Sequence, residues 1–263
     1  MSKVKLSIRF LPLLALASAL SGASLACTAN IPIVGRTQTP TPTITPTVTE
    51  TPTATRTFTP TKTPTALPTA VTALEWPILM YDTFDKNSNG WWTGSPNDTW
   101  VKGTISITQG KFRFALTAQQ PVFYNILPNL NSLTDFYLAV DVQKSSGSLV
   151  ANYGLYYRFA GQSGYYFFLN TDKKTYGVDL LLNNEWFSKK SPVSSEKIKY
   201  GSANRIAVLA EGSRFTFYIN GQEINSLTDA VLSKGQAGLA LSLFAVGDTV
   251  DIEFDNFEVR APR

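Results

Sequence analysis

The sequence predicts an all-β protein, an antiparallel two-sheet sandwich over residues 76–263, and three observations predict it. Between Arg214 and Ile219, apolar Phe215, Phe217 and Ile219 alternate with Arg214, Thr216 and Tyr218, the period of two that marks a half-buried strand. Asn220-Gly221 follows, a pair that accepts the positive φ of a two-residue hairpin turn, and Gln222-Glu223-Ile224 begins the return strand. About a dozen such runs recur between turn signals, with no long segment of period 3.6, which is the pattern of a sandwich or jelly roll.

Taken in order, the chain opens on Lys3, Lys5 and Arg9, followed by an apolar run from Phe10 to Leu20 broken by Pro12. The run is too short to remain as a membrane span and reads as an export signal over residues 1–26. It ends in Ser24-Leu25-Ala26-Cys27, which resembles the lipobox of bacterial lipoproteins, where a small residue precedes the cysteine that receives the lipid. The lipobox usually has leucine where Ser24 stands, and Ser24-x-Ala26 also suits ordinary signal peptidase. Cys27 is the only cysteine, and an unpaired thiol in an oxidising compartment otherwise lacks an explanation. The expectation is lipidation at Cys27 and an exported protein held at the cell membrane, facing the extracellular side or the periplasm.

Residues 27–75 are expected to be a tether. Threonine occupies every odd position from Thr37 to Thr65, with Pro40, Pro42, Pro46, Pro52, Pro60 and Pro64 between. Neither face of that alternation is apolar and the prolines delete ladder donors, so a strand is rejected. An extended, solvated stalk remains, at about 3.1 Å per residue reaching on the order of 100 Å. Such Thr/Pro stretches also suit O-glycosylation.

Composition removes whole classes of chemistry. The chain has 263 residues, a net charge of +4, no histidine and one cysteine. There is no Ser-His-Asp or Cys-His centre, no His-ligated zinc and no internal disulfide. The charge excess lies in Lys3, Lys5, Arg9, Arg36, Arg56 and Lys62, against Glu50 and Glu75; the remainder carries 17 charges of each sign. A nucleic-acid partner is therefore not expected. Carboxylates, Lys, Tyr and bound metal are what remains for catalysis.

Within 76–263 the runs Ile78 to Phe84, Trp100 to Ile107, Lys111 to Leu116, Val122 to Leu127 and Asp135 to Val142 read as strands. Tyr153 to Phe159 and Tyr165 to Leu169 flank Ala160-Gly-Gln-Ser-Gly164, and Tyr176 to Leu182 and Glu185 to Ser188 flank Asn183-Asn184. Arg205 to Ala210 pairs with Arg214 to Ile219, and Leu239 to Leu243 and Thr249 to Val259 close the chain. Trp91 after Gly90 reads as a large plug at the sandwich edge.

The ordered series Tyr81-Asp-Thr-Phe-Asp85, Gly90-Trp91, Gly154-Leu-Tyr-Tyr-Arg-Phe159, Gly164-Tyr-Tyr-Phe167, Asn184-Glu-Trp186, Asn204-Arg-Ile-Ala-Val208, Phe217-Tyr-Ile-Asn-Gly-Gln222, Asp229, Gly235-Gln-Ala-Gly-Leu239 and Phe254-Asp-Asn-Phe257 resembles the concanavalin A-like lectin/glucanase jelly-roll superfamily. Within it the chain is most similar to laminin-G-like and 3-keto-disaccharide-hydrolase-type domains of bacterial secreted proteins and lipoproteins. The resemblance spans nearly all of 78–261. It implies the fold more than the activity, because the fold hosts binders, hydrolases and structural modules.

Three constellations are candidate sites. Glu253-x-Asp255-x-x-Glu258 resembles the nucleophile–Asp–general-acid motif of retaining family 16 glycoside hydrolases. The pattern Val250, Ile252, Phe254, Phe257, Val259 predicts a one-residue bulge near Asn256, which would place the three carboxylates on one face. Against catalysis, those hydrolases carry the motif mid-chain, whereas here it lies on the closing strand. Asp82 and Asp255 stand on the first and last strands, expected to pair. Their carboxylates are expected to bond loop amides, with a shared calcium ion as the alternative, and no other cofactor is expected. Tyr156, Arg158 and Trp186 are the candidate glycan contacts: alternation puts Leu155, Tyr157 and Phe159 on one face and Tyr156 and Arg158 on the other, with Trp186 at the rim. The expectation is a monomeric, lipid-anchored module binding carbohydrate or envelope polymer without catalysis. The alternatives are a carboxylate-dependent glycoside hydrolase of 3-keto-disaccharide or glucan type, and a structural or protein-interaction module.

Overall fold

The computed structural model describes residues 73–263; the expected signal, Cys27 and nearly all of the expected tether lie outside the described residues. The architecture is the expected two-sheet antiparallel jelly roll. Its fourteen strands are β1 (Ile78–Asp82), β2 (Val101–Thr108), β3 (Lys111–Ala118), β4 (Val122–Ile126), β5 (Phe136–Gly147), β6 (Asn152–Ala160), β7 (Ser163–Asn170), β8 (Thr175–Leu182), β9 (Glu185–Ser194), β10 (Asn204–Glu211), β11 (Arg214–Ile219), β12 (Gln222–Thr228), β13 (Gln236–Leu243) and β14 (Thr249–Arg260). One sheet has eight strands in the order β12-β11-β10-β5-β14-β3-β2, with β1 also on β14. The other has six, in the order β4-β13-β6-β7-β8-β9.

Alternation positions the core. In β3 Phe112, Phe114, Leu116 and Ala118 are buried and the residues between them are half-exposed. Phe215, Phe217 and Ile219 of β11 face the same interior, and Asn220 and Gly221 turn the chain with φ of 51° and 77°, as the hairpin requires. The predicted bulge is present in β14: Asn256 has φ 50° and the β5 register slips between Asp255 and Glu258. Phe254 and Phe257 therefore both enter the core although they stand three positions apart.

The first and last strands pair, with Asp82 opposite Phe257. Asp82 then organises the loop that follows. Its Oδ1 accepts the Phe84 amide at 2.8 Å, and its Oδ2 accepts Asn89 Nδ2 at 2.7 Å and Trp91 Nε1 at 2.8 Å. This is the amide-bonding role expected of it. Trp91 plugs the edge against Phe84, Phe112 and Phe257, with ring centroids 5.4, 5.1 and 5.0 Å away. Asp82→Ala leaves three donors, one of them the buried indole N–H, without their acceptor and is expected to cost about 3 kcal/mol, read as a lowered midpoint in urea unfolding.

The N-terminal edge extends slightly beyond the expected start of the domain. Ala73 and Trp76 pack on the outer face of the eight-stranded sheet with Tyr137, Ala139, Ala207, Leu209 and Tyr218. Arg260 Nη1 donates to the Leu74 and Trp76 carbonyls at 2.7 and 3.2 Å. With its end strands paired and one apolar core enclosed between its sheets, the segment 73–263 has the anatomy expected of a domain that folds on its own.

Candidate functional site

The six-stranded sheet is apolar on both sides. Toward the core it presents Tyr153, Leu155 and Tyr157 of β6 and Tyr165, Phe167 and Leu169 of β7. The intervening residues form a second cluster on the outer face: Phe123 of β4, Tyr156 and Phe159 of β6, Tyr166 and Phe168 of β7 and Ala240 of β13, with Trp186 of β9 and Leu127 at the margins. Phe123 is its hub, with centroids 5.0 Å from Tyr156, 5.0 Å from Tyr166 and 4.9 Å from Trp186.

Two glycines let the rings lie along the sheet. A Cβ on Gly164 would stand 2.6 Å from Tyr156 Cζ, and one on Gly177, directly opposite Phe168, would fall inside contact with that ring. The outer face is thus paved with rings rather than studded with upright side chains. Among the described residues its apolar partners come from that same face and its margins.

Polar groups are set into this pavement. The Tyr156 hydroxyl is buried and has no hydrogen-bond partner among the described residues. Burial pushes its pKa well up. Tyr166 is raised by burial as well, with the Ser242 hydroxyl of β13 pulling the other way. Asp179 of β8 sits between Tyr166 of β7 and Ser188 of β9 in register. Burial raises its carboxyl to about 6, and a hydrogen bond from the Ser188 hydroxyl opposes that rise. Among the described residues the Asp179 carboxylate forms no ion pair with a lysine or arginine, whereas Lys189 of the neighbouring strand pairs with Asp229.

Of the expected glycan contacts, Tyr156 and Trp186 share this face, linked through Phe123. The expected alternation ends at Tyr157. Arg158 has φ 50° and the β6–β7 register slips between Tyr157 and Ala160. That bulge turns Phe159 outward beside Tyr156 and Arg158 inward, which corrects both assignments. The Arg158 guanidinium, 1% exposed as a residue, donates to the carbonyls of Leu232 (2.7 Å), Thr134 (2.9 Å) and Gly212 (2.5 Å). Its Cζ lies 4.7 Å from the Phe215 centroid. Arg158 is a clamp between loops, with no reach onto the outer face. Tyr156 also departs from expectation in being covered by its neighbours rather than exposed.

The three carboxylates of β14 share a face, as the bulge predicts, but it is the outer face of the eight-stranded sheet. Glu258 is held by Arg205 and Arg260, both at 2.5 Å. Asp255 pairs with Lys111 and accepts the Asn256 amide at 2.7 Å. Glu253 lies opposite Arg113, whose guanidinium is bonded to Asp251. These groups form an ion-pair network on the sheet away from the aromatic face, and no cleft between a free pair of carboxylates is built there. Neither Asp82 nor Asp255 has its carboxylate free for a metal, since loop donors and Lys111 occupy them.

The sequence reading passed over Phe123, Phe168 and Asp179. Asp179 had a legible signal, since it is the only charge in the apolar run from Tyr176 to Leu182.

Comparison with known proteins places the fold. The family model of the 3-keto-alpha-glucoside-1,2-lyase-like domain matches residues 80–260. The carbohydrate-binding module CBM66 from Bacillus subtilis is similar at 20% identity and TM-score 0.50, over 66% of this chain and 96% of that one. The Bacillus licheniformis β-glucanase is similar at 14% identity and TM-score 0.52, over 70% and 98%. The endo-β-1,3-glucanase from Pyrococcus furiosus is similar at 8% identity and TM-score 0.53, over 71% and 94%. No curated protein matches the chain.

Proposed function

The chain belongs to the 3-keto-alpha-glucoside-1,2-lyase-like domain family, within the concanavalin A-like jelly rolls, and on that premise we propose that it is a glycan-binding module without catalysis. The outer face of the six-stranded sheet is the binding surface. The observation that carries this reading is the cluster of rings on that face, with half-buried Trp186 at its margin and Asp179 and Ser188 in the strands beside it. Aromatic faces and edges take the apolar C–H side of a pyranose, while Asp179 and Ser188 stand ready to read its hydroxyls. The similar fold of a carbohydrate-binding module agrees with this reading. The β14 carboxylates do not favour the hydrolase alternative, because each faces a cation or a backbone amide.

The proposal includes the display of the module: export by residues 1–26, a lipid on Cys27, and a tether over 27–75 that sets a monomeric domain away from the membrane. A glycan-array screen of residues 73–263 tests the binding claim. Trp186→Ala is expected to weaken any hit by about 10–100-fold, the effect of removing an aromatic anchor. Glu258→Gln, on the opposite sheet, is expected to leave the hit unchanged. An array on which nothing binds, or a hit indifferent to Trp186→Ala, contradicts the proposal.

A further inference from the structure

Among the described residues, the strands of the outer aromatic face bring one carboxylate to it, Asp179, and it enters no ion pair. Asp179 stands on β8 between a tyrosine ring of β7 and a serine of β9, with Trp186 on the same outer strand as that serine. Several other acids among the described residues are ion-paired, Asp141 and Glu258 with Arg205, Asp172 with Lys144, Asp229 with Lys189, Asp251 with Arg113 and Asp255 with Lys111, and the buried Asp82 accepts three neutral donors instead. Ser188 gives Asp179 one neutral hydrogen bond and nothing more. An ionised carboxylate in an apolar bed without a cation is a costly arrangement, and a folded protein keeps such groups mainly where a ligand completes them. The rings around it add to the same preference, because tyrosine and tryptophan faces attract an ammonium group.

We propose that this face selects glycans bearing a free amino group, with Asp179 as the counter-ion of the sugar ammonium and the Trp186 and Tyr166 rings flanking it. The inference rests on the glycan-binding reading above and names its ligand class. A neutral sugar offers Asp179 hydroxyl donors alone. An amino sugar offers a charge-assisted bond in a partly desolvated site, the stronger of the two.

The test uses a matched pair of probes, the tetramer of β-1,4-linked glucosamine and its N-acetylated counterpart, which differ only in the amine. Both are titrated calorimetrically into residues 73–263, buffered between the midpoint of the Asp179 carboxyl and neutrality. The free-amine tetramer is expected to bind about tenfold tighter, the gain of one charge-assisted bond over a neutral one. Asp179→Asn is expected to abolish that preference while leaving the weaker binding of the acetylated tetramer in place. Equal or tighter binding of the acetylated tetramer overturns the inference, and so does failure of both tetramers to bind. The wider reading is judged separately by Trp186→Ala. If that variant weakens binding of the acetylated tetramer, the glycan-binding face stands although its amine selectivity has failed. If it changes neither probe, the glycan-binding face itself has failed.

Discussion

Asp179→Asn is expected to make the ligand-free protein more stable at pH 7, by about 1–3 kcal/mol, while removing its charged recognition group. The folded-state carboxyl lies at about 6, raised from 3.8 by burial. The native state therefore holds this proton more tightly than the unfolded chain does. Between those two values the folded protein binds more protons than the unfolded one, so this group makes stability fall as pH rises through the window. The destabilisation is complete above about pH 6 and absent below the unfolded value of 3.8. Asparagine is isosteric and uncharged, so the variant gains at pH 7 and gains nothing near pH 3.5, roughly the unfolded midpoint. Tyr166, the titratable neighbour across the β7–β8 register, is raised by burial and stays neutral throughout this range. Urea unfolding at the two pH values checks the sign. A variant less stable than the parent at pH 7 would show that Asp179 supports the fold, as an ordinary structural acid does. Tyr156→Phe belongs to the same class of substitution: it removes an unpartnered hydroxyl and is expected to leave stability unchanged or raised.

Arg158→Ala is expected to act in the opposite direction, destabilising by about 3–5 kcal/mol. The guanidinium bonds carbonyls from three separate loops, at Thr134, Gly212 and Leu232, and covers the Phe215 ring. Truncation leaves those carbonyls without a donor and opens a cavity at one end of the core. Lysine is expected to rescue little, since a single ammonium does not reproduce a planar fork that reaches three acceptors. At temperatures where the variant remains folded, glycan affinity is expected to be unchanged, because the side chain points away from the outer face. A large loss of affinity in the folded variant, with stability intact, would return Arg158 to the binding surface.

The contrast between these residues shows where periodicity is informative. In β14 two phenylalanines three apart could both be apolar-facing only if one residue bulged, and the structure places that bulge at Asn256. In β6 the bulge at Arg158 left no such trace, because Tyr156, Tyr157 and Phe159 are apolar on whichever side they fall. A strand buried on both faces loses the polar alternation from which facing is read. The same ambiguity hid the aromatic outer face: β7 is buried at every position, so its sequence reads as core throughout. The turn at Asn220-Gly221, the pairing of first and last strands and the loop role of Asp82 were legible because each depends on local chemistry or on the fold's closure. The ion pairs that occupy Glu258 and Asp255 were not, since Arg205 and Lys111 are brought to them from other strands by the sheet order β10-β5-β14-β3.

The claim that the outer face of the six-stranded sheet binds glycan is tested most directly by mapping amide chemical shifts of isotope-labelled residues 73–263 during titration with an array-identified oligosaccharide. The account predicts saturable shifts confined to outer-facing positions of β6 to β9, centred on Tyr156, Tyr166, Asp179 and Trp186, with the Trp186 indole signal moving among the most. Shifts centred on Glu253, Asp255 and Glu258 of β14 would contradict it and move the search to the eight-stranded sheet.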